Sequence, residues 1–120
     1  MFDCLMTKKS LFEVRKEEFR AVGRAWDAAV SYVEAHPDEA HRIMARHLGG
    51  GVDDPAAFAE SLKGVGLYDA EAHRAFFGTP EQPGPVYQSM QLAIDVLADA
   101  GQLKTELTPA DLIIHGIFDE

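Results

Sequence analysis

Residues 16–48 read KEEFRAVGRAWDAAVSYVEAHPDEAHRIMARHL, and this stretch decides the fold class. Phe19, Val22, Trp26, Val30 and Val33 recur at steps of three and four. They therefore share one face of a helix expected over residues 16–35. Ala25, Ala28 and Ala29 leave room for a neighbouring helix, whereas Gly23 costs up to about 1 kcal/mol relative to alanine. Pro37 disfavours α geometry in the residue before it, so the first helix stops at His36. The same proline suits the first position of a second helix, because its missing N–H is not needed there. Asp38 and Glu39 then sit at the positive end of that helix dipole. Ala40, Ile43, Met44 and Leu48 form its expected apolar side, and Gly49 ends it.

The same punctuation continues outward. Asp54-Pro55 reads as a helix cap and first helical residue, opening a helix to about Lys63 that presents Phe58 and Leu62. Asp69 opens a short helix to Phe77, closed by Gly78. Thr79 to Pro85 holds three prolines and reads as a rigid loop within a domain. A late helix follows from Pro85 to about Ala100. Val86, Met90, Ala93, Ile94 and Leu97 make one stripe, and Leu92 and Val96 a second side, so this helix is expected to lie centrally between others. Trp26 is expected to be buried against it. Thr108-Pro109 starts a last helix to about Ile114, where the run Leu112-Ile113-Ile114 forces at least one residue outward. The predicted class is all-α, with about five to six short-to-medium helices and no convincing strand. Residues 16–120 read as one helical domain. Residues 1–15 form a poorly defined N-terminal segment in which Leu11, Phe12 and Val14 extend the first helix or make a short strand.

Composition bounds the function. The 120 residues carry 11 Lys plus Arg against 20 Asp plus Glu, a net charge of −9. That argues against a phosphate-binding surface, hence against nucleic acid as a partner, and against an anionic membrane. No apolar run is long enough for a transmembrane helix, so no membrane insertion is expected. One cysteine, Cys4, excludes an internal disulfide and a cysteine-based zinc site. Met1–Met6 is too short, and Lys8 and Lys9 fall on the wrong side of it, for a secretory signal. Taken literally the chain is cytoplasmic; as part of a secreted precursor it is periplasmic.

The residues offer little catalytic chemistry. Histidines 36, 41, 47, 73 and 115 are not spaced three or four apart, as two ligands on one helix face require. Asp38 and His41 have that spacing but read as a solvated pair. Glu17/Glu18 and Asp53/Asp54 are sequence neighbours, and neighbouring residues on a helix point apart, so neither pair couples as acid and base. Gly49-Gly50-Gly51 has no following lysine and is no phosphate loop. No catalytic residue, metal ligand or cofactor is therefore expected, and the chain does not read as an enzyme. A small enzyme or metal protein using the histidines is kept only as a third reading.

One resemblance is carried by the order of several pieces. These are Arg15-Lys16-Glu17-Glu18-Phe19, Ala25-Trp26, and Tyr32-Val33-Glu34-Ala35-His36-Pro37-Asp38-Glu39-Ala40, then Ala45-Arg46-His47-Leu48-Gly49, Leu62-Lys63-Gly64-Val65 and Phe76-Phe77-Gly78. Tyr87-Gln88-Ser89, Ala100-Gly101 with Leu103, and Ala110-Asp111-Leu112-Ile113 complete the series. From about Val14 onward the chain resembles the C-terminal third of the periplasmic solute-binding proteins of nitrate/sulfonate/taurine-type ABC importers, and is similar to the related thiamine-pyrimidine-precursor binders. The resemblance implies the helical part of a two-lobed α/β clamshell that closes on a small anion or heterocycle and delivers it to an ABC permease. It implies no ligand-contact residue, because the first lobe has no counterpart here. The triple glycine at 49–51 and Ile114-His115-Gly116 depart from the family pattern. Met1–Met6 and Leu112–Ile114 would be covered by the remainder of such a protein. Without it, a homodimer or domain-swapped assembly is expected to bury them. The rival expectation is a stand-alone cytoplasmic helical module for self-association or a protein partner.

Overall fold

The computed structural model describes residues 3–48 and 54–119. Seven α-helices lie among them, and no strand. They are α1 (Lys9–Val14), α2 (Lys16–Ala35), α3 (Pro37–Leu48), α4 (Pro55–Ser61), α5 (Ala70–Phe77), α6 (Pro85–Asp99) and α7 (Pro109–Leu112). The all-α class holds, with one helix more than the expected count. The extra one is α1. Leu11, Phe12 and Val14 neither extend the next helix nor form a strand, because Arg15 leaves helical geometry (φ −127°, ψ 34°) and breaks the chain into two helices.

The chain divides into two compact units, one built from Met1–Gly23 and Ala70–Glu120, the other from Arg24–Asp69. In the second unit α3 packs against α4. Ala40 and Ala45 are buried, and their small side chains admit the buried Phe58 of α4. The expected face of α3 is thereby corrected. Ile43 is exposed, Ala45 takes its place in the core, and the Leu48 side chain lies outside the described residues. Asp54 caps α4 as expected, its carboxylate accepting from the Ala56 N–H at 3.1 Å. The α2–α3 junction keeps its backbone bonds running, with His36 N–H donating to Tyr32 O at 2.8 Å and Ala40 N–H to His36 O at 2.9 Å. Pro37 has no N–H to lose there. Val30 is buried, but Val22 and Trp26 of the same stripe are not. Trp26 is 47% exposed, which corrects the expectation of a buried tryptophan. Its indole N–H donates to Tyr68 O at 2.6 Å, so its polar edge is satisfied by the backbone while its ring stays half open.

In the first unit α6 packs on α5 and α7. Val86, Ile94, Phe12 and Ile113 form its core, and the Phe12 and Phe19 rings lie 5.3 Å apart. Within this unit the expected central position of α6 is not found: Leu92 and Val96 are 66% and 59% exposed. Leu112 is exposed while Ile113 is buried, which resolves the outward residue expected in the 112–114 run. Two glycines are required by contact. Gly23 lets the backbone of residue 117 press onto α2: a Cβ there would stand 2.5 Å from Ile117 O. Its helix-propensity cost is thus offset by a close approach. Gly78 has φ +67°, and a Cβ on it would collide with Gln82 O and Gly84 N. It closes the proline turn, where Thr79 N–H donates to Gln82 O at 2.9 Å and Gly84 N–H to Phe77 O at 3.1 Å.

Candidate functional site

The first unit holds a half-open cleft of 310 Å³. For its first wall α1 gives it Lys9, Phe12 and Glu13, and Lys16, the first residue of α2, follows them. Pro80 of the proline turn and Tyr87 from the first turn of α6 give the second. The third comes from α7 and the segment after it, through Ala110 and residues 113–115. Phe12 and Ile113 are buried and make an apolar floor. Above it the Tyr87 hydroxyl and His115 Nε2 stand 3.0 Å apart, with the rings stacked at 24° and centroids 6.2 Å apart. Two lysines and one glutamate thus line a small cleft together with a tyrosine and a histidine.

The surroundings fix these groups. Thr108 donates to the Asp111 carboxylate through its hydroxyl at 2.7 Å and its backbone N–H at 2.8 Å. Those two bonds, with a smaller contribution from the charge of Lys9, hold the Asp111 carboxyl below its usual range. The segment carrying His115 is pinned further along. Arg20 Nε donates to Gly116 O at 3.4 Å and Arg74 Nη2 to Phe118 O at 2.9 Å. His73 stacks on Phe77 at 4.0 Å and meets Phe118 edge-on at 4.8 Å. Burial, then the charges of His115 and Arg74, push its imidazole below its ordinary value.

The other candidate residues are dispersed. His36 lies against Tyr32 at 4.8 Å, and His41 meets Phe58 edge-on at 6.2 Å. The hydrogen bond of the Tyr32 hydroxyl to Glu39 raises the phenol above its ordinary value, with smaller contributions from desolvation and from the Glu39 charge. His47 is exposed on α3. Among the described residues no three His, Cys, Asp or Glu side chains gather as a metal site would require. Cys4 is exposed and unpaired in a disulfide. Glu17 pairs with Arg20 at 2.8 Å and Glu18 with Arg15 at 3.2 Å, so both carboxylates are engaged on the helix surface. Gly49–Gly51 and Asp53 lie outside the described residues, and Asp54 serves as a cap. The Tyr87–His115 pair has no sequence signal, since 28 residues separate its members. Lys9 and Lys16 lie on two helices separated by the break at Arg15, so no single-helix pattern joins them. Among the described residues no helix is long and apolar enough to cross a membrane. Comparison of the chain with known protein families, curated proteins and solved structures finds no match.

Proposed function

We propose that this chain is the helical C-terminal portion of the substrate-binding component of an ABC importer for a small anion or heterocycle of the nitrate, sulfonate or taurine kind. Its role is binding and delivery to a permease, in the periplasm, without catalysis. The observation that supports this reading is the number of large apolar side chains left exposed in the first unit. Met6 is 85% exposed, and Leu5, Leu11, Val14, Leu92, Val96 and Leu112 stand open beside solvent. Single exposed apolar residues need no explanation, but this many within one small unit argue for a surface made to be covered. A lobe of a clamshell protein supplies such a cover, and the ordered motifs from Arg15 to Ile113 resemble that family. The transported solute would sit between two lobes, so this chain alone contributes only part of that site. The test is uptake of labelled nitrate, taurine, an alkanesulfonate and a thiamine pyrimidine precursor by source cells lacking the coding segment. Loss of uptake of one solute, the others unchanged, is expected; unchanged uptake of all four overturns the reading.

The half-exposed Trp26 favours a second reading, a helical module that forms a homodimer or holds a protein partner. Light scattering of the isolated chain at micromolar concentration decides its dimeric form: a dimer mass is expected, and a monomer mass removes it.

A further inference from the structure

We propose that the cleft between α1, the proline turn and the segment after α7 is a binding site for a small organic anion with an apolar, planar body. This site lies within one compact unit and does not depend on the transport reading. Three observations carry it. The cleft measures 310 Å³, at the lower end of small-molecule sites and right for a ligand of fragment size. In a chain with net charge −9, Lys9 and Lys16 both stand on its rim, against the single carboxylate Glu13 among its lining residues. Its floor is apolar, through Phe12 and Ile113, and the rings of Tyr87 and His115, from two of its walls, stack on each other.

Each part has a chemical role. A carboxylate or sulfonate head group accepts charge-assisted hydrogen bonds from the two ammonium groups, which are stronger than neutral ones. The Tyr87 hydroxyl, 3.0 Å from His115 Nε2, is a further donor when the imidazole turns an N–H toward it. An aromatic or compact aliphatic body covers Phe12 and Ile113 and lies along the tyrosine ring. Glu13 repels a second negative charge, so a monoanion is preferred over a dianion. The exposed residues Leu5, Met6, Leu92, Val96 and Leu112 do not line the cleft.

The test is an amide chemical-shift titration of the full 120-residue chain with benzoate, benzyl alcohol and benzylamine. Benzoate is expected to saturate at a dissociation constant of about 1 mM, as the efficiency of fragment-sized ligands allows. Its shifts should centre on Phe12, Tyr87 and residues 113–115. Benzyl alcohol should bind more weakly and benzylamine not at all. Lys9→Gln with Lys16→Gln should weaken benzoate by about tenfold or more while preserving the spectrum. Should that double variant lose the spectrum, the single Lys16→Gln change is read in its place. Tyr87→Phe should weaken benzoate by a smaller factor. Shifts that do not saturate, that centre elsewhere, that are equal for the three probes, or that survive loss of the lysines overturn the proposal.

Discussion

Gly78 and Gly101 have the same backbone conformation, φ +67°, and entirely different surroundings. Replacing each by alanine therefore separates the intrinsic cost of that conformation from the cost of contact. Alanine in the left-handed region costs about 1–2 kcal/mol, partly offset by the smaller entropy of the unfolded chain. At Gly101 nothing lies within 4 Å of the added Cβ, and the change stops there, at about 1 kcal/mol. At Gly78 the Cβ meets Gln82 O and Gly84 N and stands 2.9 Å from Pro83 C, all backbone atoms that cannot swing away. The turn must open, which breaks the bonds from Thr79 N–H to Gln82 O and from Gly84 N–H to Phe77 O. Each is worth about 1 kcal/mol, so Gly78→Ala should cost about 3 kcal/mol in all. Both glycines belong to the same compact unit, which makes the comparison internal. Urea denaturation followed by helical circular dichroism reads both variants at equal slope. Equal destabilisation of the two would refute the proline turn as a rigid closure built on Gly78.

Three further outcomes follow from burial and charge. Val86→Ala should cost about 2 kcal/mol because Val86 is fully buried, whereas Val96→Ala should stay within about 0.5 kcal/mol in the same denaturation assay. His73 binds its proton less readily folded than unfolded, since its ordinary value is 6.5 and the fold lowers it. Its contribution to stability is therefore fully present above 6.5 and is lost as pH falls from there toward the lowered value, so His73→Phe should flatten the pH dependence of stability in that window. Trp26, the single tryptophan, should emit at long wavelength and be quenched readily by acrylamide; a blue-shifted, protected indole would contradict its exposed place.

The helices were legible where local chemistry alone sets their ends. Pro37, Pro55, Pro85 and Pro109 each begin a helix at its first residue, and Gly78 and Gly101 each follow one. Both signals act within one turn and need no tertiary information. α1 was illegible because six residues give too short a pattern to separate from a strand, and because the break at Arg15 is a matter of dihedral angles. The faces are not legible for a different reason. Periodicity says which residues share a side, not whether anything covers that side. Leu92 and Val96 share one that stays exposed, and Ile43 yields its place to Ala45, whose size suits the approach of α4. The cleft was illegible because it assembles Lys9, Tyr87 and His115 from three separate parts of the chain, and no spacing rule reaches that far. Gly23 is unfavourable by helix propensity alone, and its reason is tertiary: the backbone of Ile117 lies against it.

The central claim, that this chain is one part of a periplasmic binding component, is tested most directly by an immunoblot of fractionated source cells with an antibody to residues 16–120. A band in the periplasmic fraction well above the 13.2 kDa of this chain is the predicted result. A band at 13.2 kDa in the cytoplasmic fraction would contradict the transport reading and leave the helical interaction module in its place.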